Sequence, residues 1–109
     1  MLTQLNLFDI GERGASPYPE DLENLPENEM VNIMRKATGL DFQYDSTLNG
    51  NKWYVAKRNG AKYTLHYGRF VVDDFAKFIS CGYQYKLGGS NSPCRTIEEA
   101  IKFFQKERN

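Results

Sequence analysis

The sequence predicts an α+β fold of two layers, in the order helix, three- or four-stranded antiparallel sheet, helix, behind a flexible N-terminal tail. Three observations carry this expectation. Met30, Ile33, Met34 and Ala37 form one apolar stripe at helical spacing, and Ile97, Ala100, Ile101 and Phe104 form another near the far end. Between them the chain alternates polar and apolar residues and is broken by Asn49-Gly50 and Asn59-Gly60, pairs suited to tight turns between strands. A chain of 109 residues has room for one modest core. Residues 1–25 are therefore read as tail and 26–109 as a single domain.

The tail comes first. Gly, Pro, Ser and acids dominate residues 9–29, and Pro17, Pro19 and Pro26 prevent a regular element from running through. A first helix is expected from about Pro26, with Glu27 and Glu29 in its first turn, Arg35 and Lys36 in its last, and Gly39 as its stop. Strand signals follow. Phe42 and Tyr44 alternate with polar neighbours, and Trp53 and Val55 alternate with Lys52, Tyr54 and Ala56. Tyr63, Leu65 and Tyr67 are expected on one face of the next strand and Lys62, Thr64 and His66 on the other. Residues 77–87 are again β-rich, residues 88–93 (Gly-Gly-Ser-Asn-Ser-Pro) read as a loop, and Thr96 with Glu99 forms a capping box for the last helix. Helices on one side of such a sheet leave its other face open.

The formal charge of zero hides an asymmetry. Residues 1–29 hold seven acids against Arg13 alone, a net of −6, so the remainder carries +6. Cys81 and Cys94, in a chain with no leader resembling a signal peptide, point to reduced thiols and a cytoplasmic protein. Apolar runs such as Phe70-Val71-Val72 are too short to cross a bilayer, so no membrane partner is expected.

The tail holds a motif. Gln4-Leu5-Asn6-Leu7-Phe8 resembles the short peptide with which bacterial replication and repair proteins dock on the β sliding clamp, whose pattern is Gln-Leu-(Ser or Asp)-Leu-Phe. Asn6 departs from that pattern at the variable third position. The resemblance implies that Leu7 and Phe8 fill a hydrophobic pocket of the clamp, that Gln4 hydrogen-bonds in a second site, and that Leu5 adds apolar contact between them. A peptide this short, ordered only on binding, is expected to dissociate at roughly micromolar concentration. The same apolar residues also suit an edge strand or a short helix packed on the domain.

A second signal lies in the strands. No acid occurs between Asp45 and Asp73, yet Lys52, Lys57, Arg58, Lys62 and Arg69 are interleaved with Trp53, Tyr54, Tyr63, His66 and Tyr67. Cations that hold phosphates and aromatics that stack on bases make a nucleic-acid-binding face, with Lys52, Trp53, Lys57, Arg58, Lys62 and Arg69 as candidate contacts. The same alternation also suits the solvated face of a sheet. In order of elements alone, the chain resembles the double-stranded RNA-binding domain and the small three-stranded DNA-arm domains of mobile-element integrases.

Catalysis finds little support. His66 is the sole histidine, it makes no zinc pattern with Cys81 and Cys94, and Asp73-Asp74 suits a polar strand end. No catalytic residue, metal ligand or cofactor is expected. Three readings of function follow. The first is a non-enzymatic accessory protein of a bacterial or mobile-element replication system, docked on the β sliding clamp, with its domain acting on DNA or on a DNA-bound protein. The second is a phage- or plasmid-encoded inhibitor of anti-restriction or anti-CRISPR type, whose acidic tail occupies a DNA-binding groove. The third is a nucleic-acid-binding module that works through the basic strands without the clamp.

Overall fold

The computed structural model describes residues 17–70 and 73–108. The Gln4–Phe8 peptide and the tail up to residue 16 lie outside them. Within them the order is a 3-10 turn at Leu22–Asn24, helix α1 (Glu27–Thr38), strands β1 (Gln43–Leu48), β2 (Asn51–Arg58), β3 (Ala61–Phe70), β4 (Asp73–Tyr85) and β5 (Gly88–Cys94), and helix α2 (Ile97–Arg108). The strands form one antiparallel sheet in the order β1-β2-β3-β4-β5.

Hydrogen-bonded caps close α1 at its C-terminal end and open α2 at its N-terminal end. Gly39 closes α1 with φ 75°, and its N–H donates to the Arg35 carbonyl at 2.9 Å. Thr38, buried at the same end, donates its hydroxyl to the Met34 carbonyl and accepts the Leu40 N–H at 3.1 Å. At α2 the Thr96 hydroxyl accepts the Glu99 N–H at 3.1 Å, and the Glu99 carboxylate reaches back to the N–H of Arg95.

Two hairpins follow the Asn-Gly turns. Asn49 and Asn59 both take φ 52°, followed by Gly50 at 81° and Gly60 at 83°. The second turn fixes register, setting Ala56 opposite Tyr63 and Val55 opposite Thr64. Tyr63 faces the helices, so Ala56 does too, and the larger pair Trp53 and Val55 turns away from them.

The sheet has five strands rather than three or four, because residues 88–93, read from the sequence as a loop, pair with β4 as strand β5. Gly, Ser, Asn and Pro are poor strand formers, so composition masks a strand whose order comes from its partner's backbone. Its turn gives no Asn-Gly signal either, since Lys86 takes the positive φ, 55°. Gly89 is required by packing: a Cβ there would stand 2.6 Å from the Tyr83 carbonyl oxygen.

Both helices cover one face. The buried strand residues Ala56, Tyr63, Leu65, Tyr67, Ile79 and Cys81 share that face and join Met30, Met34, Phe42, Ile97 and Phe104 in one core. Phe42 and Phe104 meet at 5.2 Å between ring centroids. The packed body also begins before Pro26. Leu22 and Leu25 are buried in the core, Tyr67 donates its hydroxyl to the Leu25 carbonyl at 3.1 Å, and Glu23 pairs with Arg69 at 3.1 Å. Residues 21–25 thus belong to the domain, although their composition reads as tail.

Candidate nucleic-acid interface

No element among the described residues covers the face of the sheet away from the helices. Alternation and register assign it Trp53, Val55 and Lys57 from β2, Lys62, Thr64 and His66 from β3, Phe78, Ser80, Gly82 and Gln84 from β4, and Gly89, Asn91 and Pro93 from β5. None of these is an acid. Acids border this face at β1, where Asp41 accepts a hydrogen bond from Gln43 and Asp45 one from Ser46, the residues opposite Val55 and Trp53; Glu23, Glu27 and Glu29 lie before or within α1, and Glu98, Glu99 and Glu107 on α2.

Lys57 and Lys62 stand directly opposite each other across β2 and β3. Both are exposed, and neither makes an ion pair among the described residues. Like charges in opposed positions weaken a strand pair, so this arrangement is costly unless something anionic meets it.

Further along the same strands Trp53 stacks on His66, with ring centroids 3.5 Å apart and planes 29° from parallel. Burial beneath the indole holds the imidazole below its ordinary pKa, with the charge of Glu27 opposing the shift, so the stack is neutral at neutral pH. The Trp53 Nε1 and the His66 Nδ1 are both buried without a hydrogen-bond partner.

Beside these two features, over β3, β4 and β5, the face sinks into a trough of about 560 Å³. Its walls include Trp53, Lys62, Leu87 and Asn91, and its floor includes Gly82. Glycine is needed there because a Cβ at position 82 would run into the Thr64 hydroxyl. Leu87, at 105% relative exposure, forms one rim at the tip of the β4–β5 hairpin.

The structure divides the six residues that the sequence marked for nucleic acid. Trp53, Lys57 and Lys62 share the open face. Lys52, Arg58 and Arg69 occupy the alternate positions, whose side chains belong to the helix side of the sheet. Arg58 borders a separate depression with Tyr63, Tyr83, Tyr85 and Glu107. Arg69 is engaged by Glu23, whose carboxyl is held below its ordinary value by that guanidinium and by the Lys77 N–H. Thr64 joins the open face as alternation along β3 predicts, and Ser80, Gln84 and Asn91 join it unannounced. The placement of these three depends on the register of β4 and β5 against β3, and Asn91 lies in the stretch that reads as a loop.

The other reactive side chains serve the fold. Cys81 and Cys94 are buried free thiols, and a hydrogen bond to Cys94 together with burial pushes the Cys81 thiol up. Tyr54, raised to about 12 by burial and its hydrogen bond to Glu27, ties β2 to α1 at 2.8 Å. Among the described residues, no three His, Cys, Asp or Glu side chains are grouped to hold a metal ion. No helix among them is long and apolar enough to cross a membrane. Comparisons with protein-family models, curated proteins and solved structures give no match to this chain.

Proposed function

We propose that this chain is a non-enzymatic accessory protein of a bacterial or mobile-element DNA-maintenance system, which binds nucleic acid through the open sheet face and docks on the β sliding clamp through Gln4–Phe8. The observation that carries the first half is the Lys57–Lys62 couple, which makes no ion pair among the described residues and whose assigned open-face neighbours on β2 to β5 include no acid, beside a half-buried aromatic stack. The second half rests on the sequence of the peptide. Eight residues separate Phe8 from Pro17, so the peptide reaches at most about 30 Å from the body. Two weak sites joined by such a short connection reinforce each other once either is engaged.

One experiment tests both halves. Purified clamp, a labelled oligonucleotide and the full chain are mixed, and binding to each partner is followed separately. The Leu7→Ala, Phe8→Ala variant should lose the clamp and keep the oligonucleotide, and the Lys57→Gln, Lys62→Gln variant should do the reverse. If the first variant still binds clamp normally, the docking half fails; if the second binds the oligonucleotide normally, the sheet half fails.

A further inference from the structure

We propose that the open face selects single-stranded over double-stranded nucleic acid, taking bases into the trough beside Trp53 and phosphates on Lys57 and Lys62. The inference rests on the reading of this face as a nucleic-acid site, and three features of the face carry it.

The first is shape. Reading a duplex in its major groove needs a helix or a two-stranded ribbon projecting into the groove. Both helices of this body lie on the opposite layer, and the open face is concave where Gly82 lowers it. A concavity receives groups that a partner can extend into it. Single strands splay their bases outward, whereas a duplex keeps them stacked within.

The second is chemistry. The side chains of Thr64, Ser80, Gln84 and Asn91 line the trough, and none makes a hydrogen bond among the described residues. Neutral groups that both donate and accept suit Watson–Crick edges, which are free in a single strand and occupied in a duplex. The Trp53–His66 stack provides the adjoining aromatic surface. Because neither of its buried ring nitrogens is bonded within the protein, rearranging the stack against a base breaks no internal hydrogen bond.

The third is the layout of charge. Lys57 lies four residues from Trp53 along β2, about 13 Å at the rise of an extended strand. The two lysines form a single cationic point at one end of the trough, with Lys62 on its wall. That arrangement follows one backbone leaving the trough; a duplex offers two backbones and no unpaired base for the remaining surface.

Trp53 is the sole tryptophan, so its emission reports on the site directly. The full chain is titrated with oligothymidylate and oligouridylate of about 15 nucleotides, with a duplex of equal length, and with heparin as a polyanion lacking bases. Saturable quenching by either single strand, at concentrations at least about tenfold below those of duplex and heparin, is the expected result, and the tighter of the two identifies DNA or RNA. Trp53→Ala, followed with labelled oligonucleotide, should weaken single-strand binding roughly five- to 150-fold. Should that variant fail to fold, Gln84→Ala with Asn91→Ala, at exposed positions, should still narrow the gap between single strand and duplex. Duplex or heparin binding as tightly as the single strands overturns the inference and leaves the broader reading of the face intact. Absence of any response to nucleic acid overturns both.

Discussion

Replacing Lys62 by Gln should stabilise the fold while weakening its binding, because the lysine faces Lys57 across β2 and β3 and neither makes an ion pair among the described residues. Directly opposed residues hold their β-carbons about 5 Å apart, and flexible stems let the ammonium groups part to roughly 7 Å. Two unit charges at that distance in water repel by about 0.6 kcal/mol. At about 0.01 M salt, where the screening length is about 30 Å, most of this survives, roughly 0.5 kcal/mol; at 0.15 M it falls to about 0.25 kcal/mol. For a domain of this size those values raise Tm by about 2–4 °C and 1–2 °C respectively. Thermal melts of wild type and Lys62→Gln at the two salt concentrations measure the difference. A gain that shrinks with salt is expected. A variant less stable than wild type at low salt, or a gain indifferent to salt, would refute the claim that this couple is an unrelieved repulsion held for a partner.

Other consequences concern the scaffold beneath the face. Thr38→Val keeps the shape of a buried side chain but leaves the Leu40 N–H unpaired, and should cost about 1–3 kcal/mol in urea unfolding. Gly89→Ala forces β5 away from the Tyr83 carbonyl and should cost about 1–3 kcal/mol, with loss of amide protection along β5; an unchanged Tm would contradict the packing described. Glu23 has its carboxyl lowered by Arg69, so its contribution to stability is full above the ordinary carboxylate value and is lost as pH falls below about 4.5. Melting curves across that range should show Glu23→Gln already weakened at neutral pH and flatter than wild type on acidification. His66, also lowered, favours the neutral ring in the fold, so stability should decline as pH falls below about 6.5, a dependence that His66→Gln should remove.

Much of the architecture is legible in local patterns. The stripes Met30-Ile33-Met34-Ala37 and Ile97-Ala100-Ile101-Phe104 mark both helices, and Gly39, Thr96 and Glu99 mark ends that the hydrogen bonds bear out. Asn59-Gly60 fixes a hairpin, and through it the division of β3 into a Tyr63-Leu65-Tyr67 core face and a Lys62-Thr64-His66 open face. What is not legible depends on pairing partners distant in sequence. β5 has no propensity of its own and exists because β4 offers it a backbone edge. Leu22 and Leu25 lie among prolines and acids, and only the closed core shows that they belong to it.

The candidate site divides along the same line. The density of cations and aromatics between residues 52 and 69 marks the region, but linear density cannot tell one face of a strand from the other. Arg69 and Lys57 look equivalent in sequence. In the fold, one is tied to Glu23 on the helix side and the other stands beside a second lysine on the open face. Gln84 and Asn91 carry no signal of their own, since they become neighbours of Lys62 and Thr64 only when β4 and β5 are set in register.

The most direct test of the central claim is an amide and indole chemical-shift map of the isotopically labelled chain on addition of a short single-stranded oligonucleotide. The account expects the largest shifts at the Trp53 indole N–H and at Lys57, Lys62, Thr64, Gln84 and Asn91, fading at high salt, with α1 and α2 little changed. Shifts centred instead on α1, α2 or the Arg58 and Arg69 side of the sheet, with the Trp53 indole unmoved, would contradict it.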